Sequence, residues 1–196
     1  MTRISPLFTV RSASEDDVMA IVELAKEAQT EITQFRGHEQ LLEVWTLTEQ
    51  QWATTITSNK NIVLVALSAM SIVGYAKADI DVKGAICTIG HVFVDPQARQ
   101  LGIGAGLVGE IARVAKSKGC QTLDAVALPG DRKMKNLYER IGMPARLLIA
   151  SKNLERPCHW GGRFSINAVK PSLVSCDCRI LPNSAFVMLM SVSSFS

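Results

Sequence analysis

The chain has 196 residues, 47% of them hydrophobic and 20% charged, with a formal net charge of +3. That is the composition of a soluble globular domain long enough to bury a core. The charge is too small for a nucleic-acid-binding face, no apolar run approaches the length of a membrane span, and the N-terminus lacks a signal-peptide pattern.

In chain order, Leu7 to Arg11 alternates as a first strand. Ser14 followed by Glu15-Asp16-Asp17 supplies an N-cap and first-turn acids. Val18, Ile21, Val22, Leu24 and Ala25 then form an amphipathic stripe. A second helical pattern runs from about residue 39 to 56, with Leu42, Trp45, Trp52 and Ile56 on its buried side. Residues 61–70 and 72–80 are predicted to form two strands joined by a short turn, and a third strand follows Gly84 and ends at Val94. Leu107, Val108, Ile111, Val114 and Ala115 mark a helix that stops at Gly119. Leu123 to Leu128 forms a short strand broken by Pro129-Gly130. Asp131 caps a helix that carries Tyr138 and ends at Gly142, and Ala145 to Ala150 completes the series as a strand.

The stretch between Val94 and the third of these helices carries the chemistry. Arg99-Gln100-Leu101-Gly102-Ile103-Gly104-Ala105-Gly106 follows a strand and opens a helix. Such a turn presents unpaired N–H groups and the positive end of the helix dipole to an anion. Side chains are missing at 102 and 104, so a pyrophosphate can approach the main chain. No Gly-Lys-Ser/Thr follows, which excludes a P-loop. A dinucleotide fingerprint fits only through Gly104, Gly106 and Gly109, inside the helix, and about ninety residues precede it. A glycine-bearing helix cap without a ligand is the remaining reading of these residues.

The segment FVDPQARQLGIGAGLV resembles the acetyl-CoA-binding segment of the GNAT N-acetyltransferases, whose signature is Arg/Gln-x-x-Gly-x-Gly/Ala; Arg99, Gly102 and Gly104 fill it, with Gln100 where glycine is usual. Asn136-Leu137-Tyr138-Glu139-Arg140-Ile141-Gly142-Met143 is similar to the family's aromatic-Tyr-Glu-x-x-Gly-Phe element. The resemblance implies an α/β (α+β) fold with a mixed, mostly antiparallel sheet of six to seven strands, flanked by helices and splayed between strands four and five. It also implies acetyl-CoA as co-substrate, a primary amine as acceptor, and no metal. By the same resemblance Val92, Phe93 and Val94 hold the pantetheine arm, Arg99, Gln100, Leu101, Gly102, Ile103, Gly104 and Ala105 take the pyrophosphate, and Asn136 hydrogen-bonds the coenzyme. Tyr138 matches the tyrosine that protonates the departing thiolate, a role suited to a phenol of pKa about 10. The basic run Arg132-Lys133-Met134-Lys135 is a solvated helix start or a contact to cofactor phosphates.

The general base stays unassigned. Many relatives place a glutamate where this chain has Gly90. His91 has a suitable intrinsic pKa, but strand alternation turns it to the opposite face from residue 90. Asp79, Asp81 and Glu31 are the carboxylates near the implied acceptor cleft, and a water route is the alternative. Glu31, Glu39, Glu43 and Glu49 either draw a cationic amine or form solvated helix faces.

Residues 1–154 are expected to form the N-acetyltransferase domain and 155–196 an atypical extension, serine-rich and sparse in charge. Cys158-His159 with Cys176-x-Cys178 has a zinc site's ligand count but not its spacing. Residues 185–192 are the candidate for a last strand. Cys87 and Cys120 favour a reducing, cytoplasmic setting. A monomer or homodimer without nucleic-acid or membrane partners completes the expectation. The alternatives to an enzyme are a coenzyme-A-binding regulatory module and an unrelated phosphate-binding α/β protein.

Overall fold

A computed structural model describes residues 7–147. Among these residues five strands, β1 (Thr9–Ser12), β2 (Asn61–Ser68), β3 (Ser71–Asp81), β4 (Ile86–Val94) and β5 (Thr122–Ala125), form one sheet in sequence order. The first four are antiparallel neighbours, and β5 joins β4 in parallel. Five α-helices among the described residues flank them: α1 (Val18–Ile32), α2 (His38–Trp45), α3 (Glu49–Thr57), α4 (Ile103–Ser117) and α5 (Arg132–Arg140). The mixed, mostly antiparallel sheet with helices on both faces is the fold the resemblance implies. Candidate strands six and seven fall outside the described residues, except that Ala145, Arg146 and Leu147 have no regular structure. No helix among the described residues is long and apolar enough to cross a membrane.

The central strands are apolar on both faces because helices cover both. Ile62, Leu64, Ala66, Ala76, Ala78, Cys87, Ile89 and Val92 face one core, closed by Ile103, Leu107, Val108 and Ile111 of α4 and by Tyr138 of α5. Val63, Val65, Tyr75 and Phe93 face the other, closed by α1 and by Trp45 and Trp52. β4 crosses between these phases at Gly90. Lys77 pairs with His91 and Ala78 with Ile89, so Gly90 is an extra residue, a bulge. Ile89 therefore points to the α4 core while His91 and Phe93 share the α1 face.

The single helix expected over residues 39–56 is two. Thr46 leaves the helix with ψ 89°. Thr48 starts another, accepting at Oγ1 from the Gln51 N–H while its own N–H donates to Gln51 Oε1 at 2.8 Å. This reciprocal cap restarts the chain at a new angle, and Trp45 and Trp52 still reach the same core. The strand expected over 123–128 stops at Ala125, where pairing with β4 ends at Ile89 beside the bulge.

The entry to α1 is fixed by charge. A 3-10 turn, Glu15–Asp17, precedes the helix. The Asp17 carboxylate accepts both arms of Arg11, at 2.6 and 2.8 Å, and the Ser14 N–H at 2.7 Å. Arg11 above all holds the carboxyl down at about 2, from 3.8. The unfolded chain binds the proton first, so this stability is complete above pH 3.8 and is lost as pH falls to about 2. Asp17→Asn is expected to cost on the order of 1–2 kcal/mol at neutral pH in a denaturant titration, with the difference gone near pH 2. A difference that persists unchanged at pH 2 contradicts the assignment.

Candidate active site

Beyond Ile89 and Ala125, β4 and β5 part. The gap opens into a cleft of about 760 Å³, and residues from both faces of the sheet reach it. Val92 and Val94 line it from β4 together with Phe93; Val126, Ala127 and Leu128 line it from the chain leaving β5. The glycine turn closes one end, α5 one side, and the α1–α2 corner the other.

The turn is built stepwise. Asp95 accepts the Gln97 N–H at 2.8 Å and starts a 3-10 turn at Pro96. Gln100 (φ 74°) and Gly102 (φ 81°) then take left-handed conformations, and α4 begins at Ile103. Gln100 thus holds with a side chain a conformation for which glycine is preferred, at a cost of about 1 kcal/mol. The two following glycines serve packing. A Cβ on Gly104 would lie 3.3 Å from Leu137, and one on Gly106 only 2.7 Å from the Phe8 ring. Gly106 lets α4 settle on the β1 edge, while Gly104 keeps the mouth of the cleft narrow yet open. Gln100, Gly102, Ile103, Gly104 and Ala105 line the cleft; Leu101 does not, and its side chain is exposed.

Arg99 lines the cleft but its guanidinium is engaged. Nε donates to the Val94 carbonyl at 2.9 Å, and the two outer nitrogens grip the Glu31 carboxylate, Nη1 at 2.9 Å. The group also lies over the Phe93 ring at 5.4 Å. Glu31, from 68 residues upstream, is held below the usual carboxylate range chiefly by Arg99, with Lys133 at 3.6 Å contributing. The pair ties α1 to the end of β4. Its partnership spans the sequence too widely for any local pattern to reveal.

Asp131 caps α5 by accepting the Met134 N–H at 2.9 Å, which turns Lys133, Asn136, Leu137, Tyr138 and Arg140 toward the cleft. Tyr138 is 7% exposed. Burial, and secondarily Asp131, pushes its phenol well above the ordinary value, so it holds its proton at every working pH.

The base candidates are not brought together. His91 does not line the cleft. Its ring stacks on Trp45 at 4.6 Å and meets the edge of Trp52 at 5.6 Å, with Nδ1 3.4 Å from the Tyr75 hydroxyl. Asp79 is taken by Lys77 at 2.8 Å and by Asn61, and Asp81 accepts the Lys83 N–H in an exposed turn. Glu39, Glu43 and Glu49 are exposed outside the cleft. Among the described residues Glu31 and Asp131 are the carboxylates that line it, and both have partners. The tail residues Cys158, His159, Cys176 and Cys178 lie outside the described residues.

Burial above all, with the charge of Lys77, pushes the His91 imidazole down to about 3. Between pH 6.5 and about 3 the unfolded chain binds a proton that the folded chain refuses, so stability falls as pH falls through that window. Thermal melts should show the midpoint dropping from pH 7 to 4.5, and His91→Phe, which keeps an aromatic partner for Trp45, should flatten that drop. An equal drop in the variant counts against a buried neutral imidazole.

The sequence model of the Acetyltransferase (GNAT) family matches residues 20–143. No curated protein matches the chain in sequence. Among solved structures, the PaiA N-acetyltransferase from Thermoplasma acidophilum in complex with coenzyme A superimposes with a TM-score of 0.60 at 16% identity, over 69% of this chain and 88% of that one. An aminoglycoside acetyltransferase from an uncultured soil metagenomic sample gives 0.60 at 18%, over 77% and 97%. The ribosomal-protein-S18-alanine N-acetyltransferase from Escherichia coli gives 0.53 at 16%, over 69% and 76%. At these identities the likeness is one of fold.

Proposed function

We propose, on the ground that the chain belongs to the Acetyltransferase (GNAT) family, that it transfers an acetyl group from acetyl-CoA to a primary amine. One observation carries the reading: the glycine turn, the parted strands and Tyr138 all open into the same cleft. Each part fits a portion of the coenzyme. The first N–H groups of α4 lack helical partners and suit a pyrophosphate. The edge of β4 beyond Ile89, unpaired with β5, suits an extended amide-bearing arm. The arm enters between Val92 and Val94 on one side and Val126 and Ala127 on the other.

Acetyl-CoA supplies the acetyl group as a thioester. A main-chain N–H near the end of β4, aimed at the thioester carbonyl, stabilises the charge that develops as the amine nitrogen attacks. The N–C bond forms, the C–S bond breaks, and the sulfur leaves with the electron pair. Tyr138 gives its phenolic proton to that sulfur and regains one from solvent. The nitrogen's proton passes to water, since the two carboxylates lining the cleft among the described residues are engaged elsewhere.

The test is calorimetry of the full chain with acetyl-CoA, followed by thiol release in the presence of amines. One-to-one binding with amine-dependent release supports the proposal. Binding without release under any amine leaves a coenzyme-binding module. A folded chain that does not bind returns the glycine turn to a structural role.

A further inference from the structure

The half of the cleft opposite the glycine turn is apolar and aromatic. Ile32 and Phe35 reach it from α1 and the turn after it, Leu41 and Trp45 from α2, and Val126 and Leu128 from the chain after β5. The two loops that bound it close on each other: a Cβ on Gly37 would lie 3.9 Å from Leu128, and one on Gly130 3.8 Å from Phe35. This wall belongs to the α1 face of the sheet, the side on which Phe93 lies. The coenzyme subsites proposed above lie toward α4 and α5.

Charge in the cleft runs the other way from what a polycation needs. Arg99, Lys133 and Arg140 line it against Glu31 and Asp131 among the described residues. Glu31 is gripped by Arg99 and approached by Lys133, and Asp131 is spent on the start of α5. An amine with several charges would be desolvated against that wall without an unengaged carboxylate among the described residues to receive it, whereas an aromatic or branched body would replace water on Phe35, Leu41 and Trp45.

We infer that the acyl acceptor is a primary amine carried on an aromatic or bulky apolar body, with a single positive charge. The inference rests on the acetyl-CoA reading above. It assigns the α1–α2 corner as the specificity wall of the site.

The test uses the full chain at saturating acetyl-CoA and measures thiol release with 2-phenylethylamine, tryptamine, butylamine, spermidine and kanamycin. Calorimetry with coenzyme A is run on the same preparations. The expected result is a kcat/KM for the two aryl amines at least about tenfold above that for spermidine and kanamycin. Phe35→Glu, at a half-buried position after α1, and Leu41→Glu should each lower the aryl-amine value and raise the spermidine value. Coenzyme affinity should stay unchanged. Equal or better turnover of spermidine or kanamycin overturns the inference, as does a preference that neither variant shifts. Coenzyme binding with none of these amines acetylated overturns it while leaving the coenzyme site standing. Loss of coenzyme binding by the folded wild-type chain overturns both.

Discussion

Gly104→Glu is expected to weaken coenzyme A binding at least about a hundredfold while the protein stays folded. A Cβ at this position emerges between Leu137, at 3.3 Å, and Val94, at 4.0 Å, so the new side chain grows into the mouth of the cleft. A carboxylate about 5 Å from a phosphate opposes it by roughly 3 kcal/mol at an effective dielectric of 20, which already exceeds two decades in affinity. The same residue favours the helix it joins, because glutamate propagates α4 better than glycine and an acid suits the first turn. Folding and binding thus move in opposite directions. Gly109→Glu, on the exposed face of α4 with nothing within 4 Å, provides the control. Calorimetry that finds the same affinity in Gly104→Glu and wild type would remove the glycine turn from the coenzyme site.

Tyr138→Phe should lower kcat about a hundredfold with coenzyme affinity unchanged. The ring is 7% exposed and packs in the α4 core, so phenylalanine keeps the contacts and removes only the hydroxyl. The phenol is a weak acid here, being pushed up by burial. A departing thiolate in the same cleft is destabilised by the same loss of water; burial lifts the Cys87 thiol to about 11 for this reason. Donor and acceptor therefore rise together, and the transfer is not made uphill by the shift in Tyr138 alone. An unchanged kcat, with release of product shown not to limit the rate, would take Tyr138 out of the reaction.

Much of the site could be read along the chain because its parts are local. The turn from Asp95 to Ala105 is a strand end, a cap and a helix start, each governed by neighbours within four residues. Asp131 and Tyr138 are likewise placed by one helix and its cap. What escaped reading depends on distant partners. Glu31 looks like a free acid until Arg99 arrives from the other side of the cleft. His91 has a base's intrinsic pKa, and alternation already turns it from the cleft, but its enclosure by Trp45, Trp52 and Tyr75 is visible only in the fold. The break between α2 and α3 was a different matter. Its signal, Thr48 with Gln51 three residues on, stood in the sequence, but the tryptophans continued an apolar stripe across it. The early end of β5 follows from a bulge in another strand, which nothing within residues 122–128 records.

The extra residue at Gly90 makes β4 a strand that is read in phase. Upstream of it Cys87 and Ile89 serve the α4 side; downstream, Val92 takes over that side while His91 and Phe93 turn to the aromatic one. Substitutions along the strand exchange one side chain at a time, and a cavity or a clash stays where it is made. Deleting Gly90 would leave Ile89 and His91 as neighbours on opposite faces, as they already are, but inserting one residue after His91 keeps every other residue and yet turns residues 92–94 over together. The valines at the mouth of the cleft would then face the tryptophans, and Phe93 the α4 core. An insertion past the bulge therefore acts as a shift of reading frame does in a message, and the length there is held more strictly than any of its letters.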